Sequence, residues 1–195
     1  RVPDAIRDDI EFLRANIALA VDEPAVAIET LKGLQKSDEF GAFAAYNLGI
    51  AYLQAGERNK AVEQLERAGL LETEDRGELA IRDKANLVLG TILLEDSEYD
   101  RAMPYLNRVR LDGPFSNQAL LSAGWASLSE EKYERAVVPW SILAEREVTD
   151  SSTQEALLAL PYAYGKLNVH GRAAVYYGRA LDEFGVEVDK LNASI

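Results

Sequence analysis

Few residues in this chain of 195 could carry out chemistry. It contains one histidine, His170, and no cysteine. A hydrolase needs a nucleophile with a base within reach, so one histidine supports neither a histidine-based triad nor a multi-histidine metal site. His170 lies in a predicted turn between two helices, where we expect it to pack against its neighbours rather than to bind a ligand.

Carboxylates are abundant, but their spacing does not suit acid–base catalysis. Adjacent acids, such as Glu130 and Glu131, point in different directions on a helix and make poor pairs. The sequence also lacks a glycine-rich phosphate loop, an HExxH motif and an EF-hand loop. We therefore predict that the chain is not an enzyme and that it requires no cofactor and no metal ion.

The apolar residues that must form the core follow a helical period. Leu48, Ala51, Tyr52 and Ala55 are spaced at i, i+3, i+4 and i+7, and the alternation that is typical of strands is missing. Short polar stretches such as QAGE, DGPFSN and VTDSS separate the helical segments. The pattern predicts an all-α protein.

One helix–turn–helix segment, YNLGIAYLQAGERNKAVEQLERA (residues 46–68), recurs along the chain. It resembles the tetratricopeptide repeat, whose units of about 34 residues stack into a solenoid. That repeat places small residues at unit positions 8 and 27, bulky residues at 11 and 24, and alanine at 20, where paired helices approach closely. The segment has Gly49, Ala68, Tyr52, Leu65 and Ala61 at these positions.

The resemblance extends over about five units. A degenerate unit is laid at 8–41, and clearer ones follow at 42–75, 83–116, 117–150 and 154–187. The residues between the second and third units include the acidic segment ETEDRGE and are expected to lengthen the helix or loop that leads into Asp83. Residues 187–195 are expected to begin a further helix, either truncated or capping. The resemblance thus implies one array over residues 1–195, an α-solenoid of stacked antiparallel helix pairs in a right-handed superhelix.

The overall charge limits the classes of partner. The formal net charge is −12, which argues against nucleic acids and anionic membranes, since both attract clustered Lys and Arg. The apolar runs are too short to span a membrane. The excess of Arg over Lys and the many alanines indicate a bacterial source, and both ends look like cuts in a longer protein. A weaker resemblance to secreted proteobacterial repeat proteins suggests the periplasm, with the cytoplasm as the alternative.

In the repeat family, the first helix of each unit lines a concave groove that binds protein segments. Carried onto this sequence, the resemblance implies the partner-binding residues Tyr46, Asn47, Ile50, Leu53, Leu87, Thr91, Leu94, Leu121, Trp125, Leu128, Leu158 and Tyr162. The Lys and Arg residues of the family's carboxylate clamp are missing from this set, and Asn47 alone matches it. The predicted groove is therefore apolar and aromatic.

We expect such a groove to hold an apolar or amphipathic segment of a protein partner. Three alternatives stay open. Some of the side chains could be buried between neighbouring helices of the chain itself. The array could serve for homo-oligomerisation, or it could regulate an enzyme that lies outside this chain.

Overall fold

The computed structural model describes residues 4–37 and 39–194, and in that part of the chain it contains ten α-helices and no strand. The all-α prediction is therefore confirmed. In chain order the helices are α1 (Asp4–Ala20), α2 (Pro24–Leu34), α3 (Gly41–Gln54), α4 (Arg58–Gly69), α5 (Arg76–Glu95), α6 (Tyr99–Leu106), α7 (Ser116–Ser129), α8 (Tyr133–Ala144), α9 (Ser151–Lys166) and α10 (His170–Ala193).

The helices belong to two compact units. Unit 1 extends to Leu89 and unit 2 begins at Gly90, so that the boundary lies within α5. Each predicted repeat corresponds to one helix pair, from α1 with α2 to α9 with α10. The continuity of the array over the whole chain stays a prediction.

Unit 1 is built on helices that pack in chain order, α1 on α2, α2 on α3 and α3 on α4. Its core is made of small and branched apolar residues, including Ala15, Leu31 and Leu48. The helices approach closely because Gly49 has no side chain. A Cβ atom at this position would lie 2.6 Å from Cγ of Leu65, which is itself fully buried.

The link from α4 to α5 within unit 1 depends on a buried amide. Nδ2 of Asn86 donates hydrogen bonds to the carbonyl oxygens of Gly69, at 2.8 Å, and of Arg82, at 3.0 Å. The first bond satisfies a carbonyl at the C-terminal end of α4, where the helix itself offers no partner. Asn86 thereby holds the end of α4 against α5.

The inserted residues before Asp83 were expected to lengthen either a helix or a loop, and they extend α5 at its N-terminal end. The helix begins at Arg76, and Oδ1 of Asp75 accepts hydrogen bonds from the backbone N–H groups of Gly77 and Glu78 at 2.8 and 3.0 Å. An aspartate that accepts from the first free N–H groups stabilises the start of a helix. The acidic segment therefore supplies a helix cap and one more helical stretch.

Unit 2 has a core centred on the fully buried indole of Trp140 in α8. Its Nε1–H donates to the carbonyl oxygen of Leu121 in α7 at 3.3 Å. The indole lies over Gly124, where any Cβ atom would overlap the ring. Helix α9 packs on both α7 and α8, and α10 packs on α9.

The last helix differs from two expectations. Helix α10 runs without interruption from His170 to Ala193, so the separate helix expected from residue 187 is wrong. No proline interrupts this stretch, and Phe184 packs against the core of unit 2. His170 is exposed at the first position of α10, whereas the aromatic packing next to this turn comes from Tyr164 and Tyr176, stacked at 5.7 Å.

Candidate protein-binding surface

The structure places Tyr46 inside unit 1 rather than on a groove. Only 6% of its surface is exposed, and burial raises the pKa of its phenol to about 12. The ammonium group of Lys84 in α5 lies 5.2 Å from the ring centroid and covers it. Tyr46 was predicted as a centre of the binding surface, and its side chain is instead largely covered by neighbouring helices.

The other predicted residues of unit 1 are also partly covered. Nδ2 of Asn47 donates to Oδ1 of Asn16 at 2.7 Å and links α3 to α1. Leu53 packs against the core of unit 1, and Ile50 and Leu87 are half-buried. In unit 1, the predicted groove side chains are therefore buried, largely or in part, between neighbouring helices of the chain itself.

In unit 2 the predicted residues separate into two groups. Leu121 and Leu128 of α7 pack against the core, and Leu94 of α5 is half-buried. Thr91 is exposed on α5. Trp125, Leu158 and Tyr162 are large and exposed, with exposed fractions of 37%, 52% and 46%. They lie on two helices that pack together, α7 and α9. We call these three side chains the α7/α9 patch.

Trp125 is held in one orientation from two sides. Its Nε1–H donates to Oε1 of Glu155 in α9 at 2.6 Å. Its ring meets the buried Trp140 edge-on, with centroids 5.1 Å apart and an interplanar angle of 73°. An aromatic side chain that is fixed before a partner arrives loses little rotamer entropy on binding.

Leu158 and Tyr162 form an apolar ridge on α9, and a charged residue stands at each end of it. Glu155, Leu158, Tyr162 and Lys166 are spaced by three, four and four residues, so they follow one face of the helix. The Lys166 ammonium lies 5.4 Å from the Tyr162 ring centroid. The ridge therefore begins with a carboxylate and ends with an ammonium group.

A cleft that was not predicted from the sequence lies on the second helices of unit 2. It has a volume of about 790 Å³ and lies between α6 and α8, above α7. Met103, Pro104, Val138, Pro139 and Ile142 line it, and Val138 is 61% exposed. The only sequence indication was the apolar run around Pro139, because the family resemblance directs attention to the first helices.

Two kinds of feature are absent from the part of the chain that the structure describes. No group of three or more histidine or acidic side chains there could hold a metal ion. Residues 4–37 and 39–194 also contain no helix with the length and apolar character that a bilayer crossing requires. The α7/α9 patch offers apolar area and two charges, which is suited to binding.

Comparison with known proteins agrees with the helical architecture. A sequence model of the tetratricopeptide repeat matches residues 12–77 and 87–140, which together exceed half of the chain. The chain belongs to the tetratricopeptide repeat family. Members of this family are in general protein-interaction scaffolds without catalytic activity of their own. No curated protein sequence matches this chain.

The solved structures that resemble the chain include several of MamA. A double mutant of MamA from RS-1 superimposes with a TM-score of 0.66 at 18% identity, covering 96% of this chain and 98% of that one. MamA residues 41 to the end from Desulfovibrio magneticus RS-1 gives 0.64 at 18% identity, covering 95% and 98%. MamA from AMB-1 gives 0.65 at 21%, covering 92% of both chains. At this identity the likeness concerns the tetratricopeptide repeat fold alone.

Proposed function

We propose that this chain is a protein-interaction scaffold that holds an apolar or amphipathic segment of a protein partner against the α7/α9 patch. The observation that carries the proposal is the exposure of Trp125, Leu158 and Tyr162 on two packed helices, with Trp125 bonded to Glu155 on the same helix as the other two. Neighbouring exposed apolar side chains are uncommon on the surface of a soluble protein and mark interaction sites.

The composition of the patch favours strong local contacts. Trp and Tyr are enriched among the residues that dominate binding energies, and here both stand on helices rather than on loops. Trp125 is already fixed by Glu155 and Trp140, so a partner would meet a preformed surface. The proposal therefore assigns the main contact to Trp125.

The charges at the ends of the ridge favour one orientation of the partner segment. A segment with a basic residue near Glu155 and an acidic residue near Lys166 would match both, while the reverse orientation would bring like charges together. An amphipathic helix or strand with apolar residues between two opposite charges meets this requirement.

A photo-crosslinking residue at position 158 identifies the partner, and the same residue at Val175 serves as the matched control. Both positions are exposed and apolar, at 52% and 69%, but Val175 lies on α10 outside the patch. We expect one protein to be linked from position 158 and not from position 175. Equal linkage from both positions would argue against the patch.

The purified partner then tests the assignment of Trp125. We expect Trp125→Ala to weaken its binding by about 2 kcal/mol, roughly thirtyfold in Kd, with an unchanged helical circular dichroism spectrum. Val175→Ala should leave the affinity as it is. An affinity that Trp125→Ala does not change would contradict the proposal.

A periplasmic location is part of the proposal and rests on the weaker resemblance to secreted repeat proteins. Fractionation of cells that express the tagged full-length protein tests it. Recovery in the cytoplasmic fraction would overturn the location without affecting the proposed binding surface.

A further inference from the structure

A row of apolar side chains on α10 is uncovered by any other helix in the described part of the chain. Tyr177, Leu181, Val188 and Leu191 are 50%, 75%, 53% and 65% exposed. Their spacing of four, seven and three residues places them on one helical face, beside the face with which α10 packs on α9. We call these four residues the α10 stripe.

The same repeat positions in α8, the second helix of the preceding unit, show which kind of helix covers this face. Tyr177 and Leu181 occupy unit positions 24 and 28. In α8 these positions hold Trp140 and Ala144, both 0% exposed, because the core that contains them is closed by the first helix of the next unit, α9. The α10 stripe is therefore the surface on which a first helix of a repeat would pack.

Helix α1 shows the complementary feature. Ile6, Ile10, Leu13 and Ile17 are 49%, 47%, 62% and 55% exposed, on a face separate from Ala15 and Ala18, which are buried. We call these four residues the α1 stripe. Ile10 and Ile17 occupy unit positions 3 and 10, and these positions in α9 hold Ala156 and Ala163, both 0% exposed in the core shared with α8.

The α1 stripe is therefore the surface with which a first helix packs on a preceding second helix. Each stripe lacks the kind of helix that the other provides. The match concerns both the apolar character and the position within the repeat.

Charged residues beside the stripes bear on which helices can pair. Asp182 and Asp189 are exposed on the solvent side of the α10 stripe, and like charges disfavour pairing of α10 with a second α10. The α1 stripe is flanked by the exposed Asp9 on one side and by Arg7 and Arg14 on the other, where Arg14 pairs with Glu11 at 3.6 Å. Only the arginine side of α1 therefore matches the aspartates of α10. Between the α10 stripe and these aspartates lie Gly178 and Gly185, where a Cβ atom would meet nothing within 4 Å.

We propose that the α10 stripe of one molecule packs against the α1 stripe of a second molecule and continues the repeat register from copy to copy. The contact is heterologous, so it leaves one stripe free on each molecule of a pair and permits further addition. Because it joins one helix to one helix, we expect weak association that increases with concentration. This inference is independent of the proposed function of the α7/α9 patch.

Sedimentation velocity and light scattering of the 195-residue chain, from about 10 to about 500 μM, test the association. We expect the average mass to rise over this range. Leu181→Glu and Ile10→Glu should each lower the association constant by about tenfold or more, because each places a charge in an apolar contact. Val175→Glu on α10, 69% exposed and outside the stripe, should associate like the original chain.

A mixing experiment distinguishes this contact from other modes of association. Leu181→Glu leaves the α1 stripe intact and Ile10→Glu leaves the α10 stripe intact, so an equal mixture should form a pair that does not grow further. Leu181 is 75% and Ile10 is 47% exposed, and circular dichroism checks that both variants retain their helices.

Two outcomes would overturn the proposal. An original chain that stays monomeric at every concentration would show that the stripes do not meet, as expected if another segment of a longer chain covers α10. Undiminished association of Ile10→Glu alone, with no pairing gained in the mixture, would show that α1 takes no part.

Discussion

Residue size at unit position 8 decides whether the two helices of a repeat can pair. A Cβ atom at Gly49 would lie 2.6 Å from Cγ of Leu65, and one at Gly90 would lie 2.5 Å from Cδ2 of Leu106. At Gly124 the added atom would overlap the Trp140 indole. The larger residue on the second helix thus occupies the space that the glycine leaves.

Gly124→Ala should therefore destabilise unit 2. Alanine favours a helix over glycine, but the overlap with the rigid, fully buried Trp140 outweighs this gain, and we expect a loss of about 1–3 kcal/mol. Urea unfolding followed by tryptophan fluorescence measures it, since both tryptophans lie in unit 2.

Gly178→Ala is the matched control for this prediction. Gly178 also lies inside a helix, but a Cβ atom there would meet nothing within 4 Å. We expect it to stabilise the protein slightly, by about 0.5–1 kcal/mol. If both substitutions acted in the same direction, helix propensity rather than packing would govern position 124.

The exposure of individual groove residues could not be read from the sequence. Tyr46 and Trp125 were both predicted to face the groove from first helices, but Tyr46 is 6% exposed and Trp125 is 37% exposed. Both side chains are in contact with residues that are distant in the sequence: Lys84 lies over Tyr46, and Glu155 accepts a hydrogen bond from Trp125. A repeat position specifies the direction of a side chain and not the size or reach of its neighbours.

At the scale of a helix, the start of α9 has a side-chain cap. Oδ1 of Asp150 accepts hydrogen bonds from the backbone N–H groups of Ser152 and Thr153, at 2.9 and 3.2 Å. The VTDSS stretch was expected to separate two helical segments at this point. The cap matters for function because α9 carries two of the three residues of the α7/α9 patch.

Asp150→Ala should cost about 1 kcal/mol, since two N–H groups at the start of α9 lose their acceptor. Ser151→Ala, at an exposed neighbouring position, should be close to neutral. Hydrogen exchange of the α9 amides measures the local effect and urea unfolding measures the total. Equal effects of the two substitutions would contradict the role of the cap.

Element boundaries were predictable where local chemistry sets them. The insertion was expected to lengthen either the helix or the loop before Asp83, and in the structure it lengthens the helix, because Asp75 caps α5 and the residues after it continue the helix. The end of α10 was not predictable in the same way. The repeat length indicated a break near residue 187, but no residue there prevents the helix from continuing to Ala193.

At the scale of the whole molecule, the chain consists of two compact units joined through α5. Repeat proteins draw their stability from contacts between neighbouring repeats, so a local change need not loosen the whole chain. The two units therefore offer a test of how far a perturbation spreads.

Gly49→Ala in unit 1 and Gly124→Ala in unit 2 should loosen different regions. We expect the first to raise hydrogen exchange mainly in α3 and α4, and the second mainly in α7, α8 and α9, because the overlaps are with Leu65 and Trp140. Exchange followed by mass spectrometry resolves these segments. A uniform rise along the chain for both variants would indicate one cooperative unit instead.

The sequence by itself determined the class of this protein. The helical period and the spacing of small and bulky residues indicated paired repeat helices, because both properties depend on local spacing. Only the tertiary structure decided which predicted groove residues are exposed, that Trp125 is fixed by Glu155, and that α1 and α10 carry uncovered stripes. Exposure depends on which helices pack on a surface, and residues far apart in the sequence determine that packing.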